Sequence, residues 1–440
     1  TLIGMGSVIG AGFFLGTGLS INLTGPSVLI GYLIAGVAAF LAFSALSEMT
    51  VNDPQKGSFR VYARKAFGHG GGFVSGWMYW TAGVLIMSSE VTALSTFTRY
   101  WFHNIPLWIF ASIYSALGLG INLLGANNFG KIESLFAIIK SSTLVIFILF
   151  GVCTLFGWMT PQTGSAQTYG GLFSHNNFWF PNGFKGFWTA LLFVFFSFGG
   201  IAVVGIASNE LRNKNEVPKA GTALMISLVG LYILSLLFVM NLIPWTKISQ
   251  SESPFVSALS IFHFPFVDSL FNAIVISASF STMVGALFSI TSVMVSLSND
   301  GDAPKLFQRK ARNGVPFYAL GLSGASLAIT VMLSFLLPKS VYEYITAAAG
   351  VMLLLVWILI LFSHIRLRPH YKNADHYKVP LYPYGSYFGI LLTAFAIGGA
   401  FFQTKERIGF LIAAGIVATI YVIYLVAVHL FHLRNNLHHN

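Results

Sequence analysis

Apolar residues run along this chain in long, nearly unbroken blocks, and polar residues gather in the short gaps between them. Blocks of spanning length cover about residues 1–21, 26–49, 73–100, 105–125, 132–157, 184–208, 220–243, 267–297, 315–337, 341–363, 384–403 and 408–430. Each is close to the ~20 residues that a helix needs to cross the hydrocarbon core of a bilayer. The pattern predicts an all-α integral membrane protein with twelve transmembrane helices. The chain opens inside an apolar, glycine-rich stretch, Thr1–Gly6, with no signal peptide in view, so further residues are expected to precede it.

Composition agrees with lipid as the solvent. Hydrophobic residues make up 55% of the chain and charged residues 8%, against roughly 25% charged in soluble domains. A soluble domain so composed would expose large apolar patches. The net charge of +11 raises nucleic acid as a partner, but no basic face interleaves with aromatics on a soluble domain, and that class is excluded. The basic residues instead mark topology. Lys56, Arg60, Arg64 and Lys65, then Arg212, Lys214 and Lys219, then Lys305, Arg309, Lys310 and Arg312, then Arg366, Arg368, Lys372 and Lys378 all follow even-numbered blocks. Linkers after odd-numbered blocks hold little beyond Arg99, Lys185, Lys247, Lys339, Lys405 and Arg407. Positive residues stay cytoplasmic, so both termini are expected inside. The polar, nearly uncharged segment 159–183 reads as an external loop. The single cysteine, Cys153, forms no internal disulfide, and no Cys/His spacing suggests zinc. The tail histidines His429, His432, His438 and His439 read as a solvated end, so neither a metal nor a cofactor is expected.

Two blocks are punctuated by glycine. The first reads Gly4-Met-Gly-Ser-Val-Ile-Gly-Ala-Gly12, followed by Gly16 and Gly18. The sixth reads Phe195-Phe-Ser-Phe-Gly-Gly-Ile-Ala-Val-Val-Gly205. Each glycine weakens a helix by about 1 kcal/mol relative to alanine. A dinucleotide loop is ruled out by the spacing and by the lack of a βαβ context. A packing face remains open, since Gly6 and Gly10 are four apart. The other reading is a break. Blocks one and six correspond if the chain is two five-helix repeats plus two more helices, and paired interruptions in corresponding positions point to a transporter site. Unwound backbone in a bilayer must line a cavity or lie within protein. There, free N–H groups suit a carboxylate and free carbonyls an ammonium, the two ends of an α-amino acid.

Charges inside apolar blocks are costly, ~2.5–3.5 kcal/mol even on insertion scales, and mark ion or proton paths. Lys140 lies eight residues from the start of its block and seventeen from its end, at least about 12 Å from either, too deep to snorkel. It is read as a proton carrier or as a stand-in for a bound cation. Glu90 is read either as proton-coupling or as structural, while Glu133, two residues after Lys131, lies near the cytoplasmic mouth.

Ile9-Gly-Ala-Gly-Phe-Phe-Leu-Gly-Thr-Gly18 with Gly25-Pro26 resembles the first-helix signature of the amino acid–polyamine–organocation superfamily. Ser47–Phe59, Gly76-Trp-Met-Tyr-Trp80, Glu90-Val-Thr-Ala93, Phe136–Lys140, Gly205–Glu210 and Asp300–Lys305 leading to Gly314-Val-Pro316 narrow the resemblance to its bacterial amino acid transporter branch. The resemblance implies a LeuT-like 5+5 inverted repeat with helices 1 and 6 broken. The repeats would be residues 1–158 and 184–365, separated by the loop 159–183, and 366–440 would hold two peripheral helices and a tail. It implies that the backbone of Ile9, Gly10, Ala11 and Gly12, with Ser7 nearby, holds the substrate carboxylate. Carbonyls of Ser197, Phe198, Gly199 and Gly200 would hold the ammonium, and Phe196 would cover the substrate from outside. Lys140 matches a lysine that replaces a sodium site in proton-driven relatives, and Glu90 matches an acidic third-helix position. One departure stands out. Ala202 occupies the place where many members carry Glu, so a substrate side chain would meet Ile201, Phe198 and alanines. An unpaired cation is costly there. The expected activity is proton-coupled uptake of neutral, apolar amino acids. Exchange, or carriage of a cationic amino acid through Glu90, are the alternatives within the class. No Walker motif is present. The acidic and histidine residues are too scattered for an enzyme site, and a non-transporting nutrient sensor is the alternative of another class.

Overall fold

A computed structural model of the chain describes residues 5–6, 8–55, 59–124, 129–159, 179–200, 216–249, 252–264, 266–311, 314–338, 340–371 and 377–438, with side chains placed outside 129–133 and 430–438. The regular elements among the described residues are all helices: α1 (Ala11–Phe14), α2 (Gly16–Thr24), α3 (Val28–Asn52), α4 (Phe59–Thr98), α5 (Leu107–Leu123), α6 (Phe129–Leu155), α7 (Gly183–Phe196), α8 (Val217–Leu242), α9 (Pro254–Ser260), α10 (Val267–Asn299), α11 (Phe317–Leu336), α12 (Val341–Leu367), α13 (Tyr384–Gly398) and α14 (Thr404–His438). Each apolar block of the sequence has helix among its described residues. Eight stretches are long and apolar enough to cross a membrane, and one of these, Ala11–Asn52, takes in α1 to α3. α4 begins earlier than its apolar block, because a basic amphipathic turn is joined to it across Gly68, whose φ of 78° breaks the helix direction. The short α9, started by Pro254, had no apolar block to announce it.

Burial follows helical spacing even where every residue is apolar. On α6, Ala137, Lys140, Leu144 and Phe147 are buried, while Leu135, Ile138, Val145, Ile146 and Leu149 are exposed. The inward set recurs at intervals of three and four, one face of a 3.6-residue helix. The outward set is as apolar as the inward one, as expected for a surface facing lipid tails. α14 is the extreme case, with Tyr421, Val422, Ile423, Leu425 and Val426 all exposed.

The linkers sort to two ends. At one end, Arg60 pairs with Asp300 and, at 3.1 Å, with Asp302, and Arg366 lies 5.4 Å over the Phe67 ring. His69 Nε2 is 2.9 Å from Asp302, and Trp77 donates to the Asp302 carbonyl. These contacts gather the basic linkers that follow α3, α10 and α12. The same end holds a second buried cluster, in which Glu48 forms an ion pair with Arg368 at 2.7 Å, accepts from the Val379 N–H at 2.6 Å, and lies 3.1 Å from His364. At the other end, Tyr100 donates to Asp268, Trp101 meets Ser269, and Asn22 donates to the Ile248 carbonyl. The core lies between, built mainly from α1, α2, α3, α4, α7, α8, α10 and α12.

Candidate functional site

The first apolar block breaks where its glycines sit. Helical backbone at Met5, Gly6 and Val8 gives way at Ile9, and Gly10 is extended (φ −149°, ψ −158°) before α1 starts at Ala11. A broken helix presents two new ends in the middle of the molecule. The upstream end offers carbonyls with partial negative charge, and the downstream end offers N–H groups with partial positive charge. Each end meets a side chain of opposite sign. The Ala11 N–H donates to Glu90, whose two carboxylate oxygens are 3.1 and 3.0 Å away. Lys140 Nζ donates to the Gly6 carbonyl at 2.6 Å and to Thr282 Oγ1 at 2.9 Å, and Thr282 Oγ1 is 3.2 Å from the Ile9 carbonyl. Glu90 and Lys140 are buried and close enough to attract one another. The lysine and glutamate singled out by their depth thus come together at one break.

Gly10 is required for this approach. A Cβ there would stand 2.5 Å from Glu90 Oε1 and 2.9 Å from Thr282 Oγ1. At Gly12, a Cβ would press on the Phe196 ring at 3.1 Å. The second block is interrupted where it faces the first. α7 ends at Phe196, and Ser197, Phe198 and Gly199 close tight turns onto Phe193 to Phe196. Ser197 Oγ donates to the Gly12 carbonyl at 2.8 Å, so the two interrupted segments are joined directly. Tyr32 lies 3.0 Å from Ser197 Oγ, Tyr232 donates to the Ser197 carbonyl at 3.3 Å, and Tyr342 donates to the Ala11 carbonyl at 3.1 Å.

A cavity of about 60 Å³ lies beside this junction. That is room for on the order of four waters. Gly12, Glu90, Phe196, Gly199 and Gly200 border it, together with Thr282. Ile9, Gly10, Ala11, Ser197 and Phe198 do not line it. They pack behind it, with Phe198 against the rings of Tyr32 and Tyr232. Lys140 reaches it through Thr282. Ser7, Ile201 and Ala202 lie outside the described residues. Sequence reasoning missed Tyr79, Ser289 and Thr282 on the cavity wall and Tyr342 on the break. A readable signal for two of them was the hydroxyl density of α10, which carries Ser277, Ser279, Ser281, Thr282 and Ser289 within an apolar helix. The cavity extends from the break toward the basic-linker end, along Tyr79, Ala82, Gly83 and Ile86 of α4. Toward the other end the way is filled by rings. Phe13 stacks on Tyr232 with centroids 3.8 Å apart, and Phe255 of α9 meets Phe13, Phe14, Phe147 and Phe271. Among the described residues no cluster of His, Cys, Asp and Glu could hold a metal.

The family model described as amino acid permease matches residues 1–439. An uncharacterized transporter, YcgH of Bacillus subtilis, is 38% identical over 97% of this chain and 93% of its own length. The aromatic amino acid transport protein AroP of Escherichia coli K12 is 33% identical over 89% of this chain and 86% of its own. The amino-acid permease AapA of Bacillus subtilis is 32% identical over 90% and 86%.

Proposed function

Because this chain belongs to the amino acid permease family, a family of membrane transporters and not of enzymes, we propose that it takes up neutral, apolar amino acids together with protons, by alternating access around its two interrupted helices. The observation that carries this reading is the pair of opposite charges on the two ends of the break. An amino acid carboxylate seeks the positive end of α1, and in this structure Glu90 occupies that end through the Ala11 N–H. Substrate carboxylate and Glu90 therefore compete for one position. A proton on Glu90 removes its negative charge and frees the N–H, so proton entry and carboxylate binding favour one another. The ammonium then meets the carbonyl side of the turn at Phe196–Gly200, and Phe196 covers the substrate. Lys140 stays on the upstream carbonyls as a cation carried by the chain itself.

Glu90 is engaged by backbone, which argues against its serving as partner for a cationic side chain and supports a neutral substrate. The name of AroP, an aromatic amino acid transport protein, suits an apolar one. In this reading the fold is the LeuT-like inverted repeat with twelve spans, residues 1–158 and 184–365 forming the repeats and 366–440 the periphery. Transmembrane spans 1, 2, 6 and 7, counted by the apolar blocks of the sequence, rock against a scaffold of spans 3, 4, 5, 8, 9 and 10, both termini are cytoplasmic, and the conformation is open toward the cytoplasm with its outer path closed by rings.

Thermal stabilisation of the purified protein by each common amino acid tests substrate class, since a ligand of the folded state raises its stability. Stabilisation is expected from apolar neutral amino acids alone. Proton coupling is tested by uptake into liposomes. In Glu90→Gln, which keeps shape and loses the titrating group, binding should persist and its dependence on pH should vanish. A variant with the wild-type pH profile would remove Glu90 from the coupling path.

A further inference from the structure

A second cavity, of about 160 Å³, opens at the end away from the basic linkers, between the last turn of α4, the segment before α9 and the start of α10. Its wall residues Val256 and Asn272 directly follow Phe255 and Phe271 of the ring cluster. Its wall carries both signs of charge. Arg99 and His103 stand on the α4 side and Glu252 on the α9 side, with Ser253 and Asn272 between.

These charges do not neutralise one another. Among the described residues no carboxylate lies within ion-pairing distance of Arg99. Its Nη2 donates to the His103 carbonyl at 3.2 Å, and its Nε is buried with no partner among the described residues. Glu252 accepts a long contact of 3.4 Å from Ser257 and forms no ion pair among the described residues. The nearby carboxylate of Asp268 is already taken by the Tyr100 hydroxyl at 2.5 Å. Ser253 is 2% exposed and borders the cavity with its Oγ unpartnered among the described residues. An unsatisfied buried hydroxyl costs ~1–3 kcal/mol and is explained when a ligand supplies the missing bond.

An unpaired guanidinium and a weakly engaged carboxylate across a small cavity match a molecule carrying both charges a few ångström apart. We propose that this outer cavity is a second binding site for the zwitterion of an α-amino acid, Arg99 taking its carboxylate with help from Ser253 Oγ, and Glu252 taking its ammonium. The proposal rests on the reading that the protein carries amino acids, and adds a station on the route before the ring cluster opens. The charged groups address the common backbone of amino acids, so selection among them falls to the central cavity.

Equilibrium dialysis of the full chain in detergent, with radiolabelled L-phenylalanine, L-leucine and L-alanine in turn, separates the two sites. Wild type should bind two molecules per chain, and Arg99→Gln with Glu252→Gln should bind one, the outer affinity falling ~10- to 100-fold with either change alone. Gly10→Val, which blocks the break, should keep the outer molecule. The two outer substitutions sit on separate elements near solvent, and helicity and monodisperse elution verify folding. One molecule per chain in wild type, unchanged by the outer substitutions, overturns the outer site and leaves amino acid transport standing. Two molecules, unchanged by them, also overturns it. No binding of any of the three amino acids to folded wild type overturns both.

Discussion

The two halves of α4 and α10 face the same interior and are built for different tasks. Toward the basic linkers they carry small residues and hydroxyls: Ala82, Gly83, Gly285, Ala286, Tyr79 and Ser289, and a cavity remains between them. Toward the other end the interior is filled by Phe13, Phe14, Phe147, Tyr232, Phe255 and Phe271, whose rings meet at centroid distances from 3.8 to 6.4 Å. Paired rings add ~0.5–1.5 kcal/mol each beyond their packing, so the filled half is the more strongly held in this conformation. The contrast separates a path from a seal, and places the charged break at the boundary.

Removing a ring from the seal should give the largest effect. Phe255 is fully buried and touches four other rings. Phe255→Ala should cost about 3 kcal/mol of stability, the low end for such a truncation, since unfolding within a bilayer leaves the ring in an apolar solvent. Thermal unfolding in detergent reads this, and reagent access to the break from outside should rise with it. A change of the same kind on the cavity side, at Ile86, should cost clearly less. Gly10→Val strikes the boundary. With a Cβ 2.5 Å from Glu90 Oε1 there is no room for more, and substrate affinity should fall about 100-fold or more. Normal affinity would place the site elsewhere. Lys140→Ala should reduce gradient-driven accumulation ~10-fold or more while binding changes less. Unchanged pH dependence of uptake in that variant would sink its coupling role. The smallest effect belongs to the cavity wall. Tyr79→Phe loses the contact of 3.2 Å to Ser289, worth ~0.5–1.5 kcal/mol, a few degrees of melting temperature with transport retained.

Much of this was legible in the residues. That the chain is helical, with several helices of membrane-crossing length, follows from apolar length alone, and depth within a block was enough to single out Lys140 and Glu90, which the structure places at one break. Glycine density marked both interruptions. What the sequence concealed was direction. The blocks are apolar on every face, so no periodicity tells which side of α6 bears Lys140 inward beside Ala137 and Leu144. Pairing was concealed for a related reason. Glu48 and His364 each sit at the edge of an apolar block, where a polar residue is expected in any case, and only the packing of α3 on α12 joins them. Thr282 looked like one hydroxyl among many on α10. Its role between Lys140 and the break depends on the crossing of three helices.

The ion cluster at the basic end has a consequence for behaviour in concentrated electrolyte. Arg60 and Asp302 are almost wholly enclosed, their side chains 6% and 1% exposed. Mobile ions weaken attraction between charges that stand in water, with a Debye length near ~8 Å at physiological strength, but act far less on charges they cannot surround. The brace between the start of α4 and the end of α10 is therefore insulated from the bath. Osmotic and saline swings that loosen surface pairs such as Lys65 with Asp53 leave it in place, and the two helices that frame the path keep their spacing at that end whatever the medium.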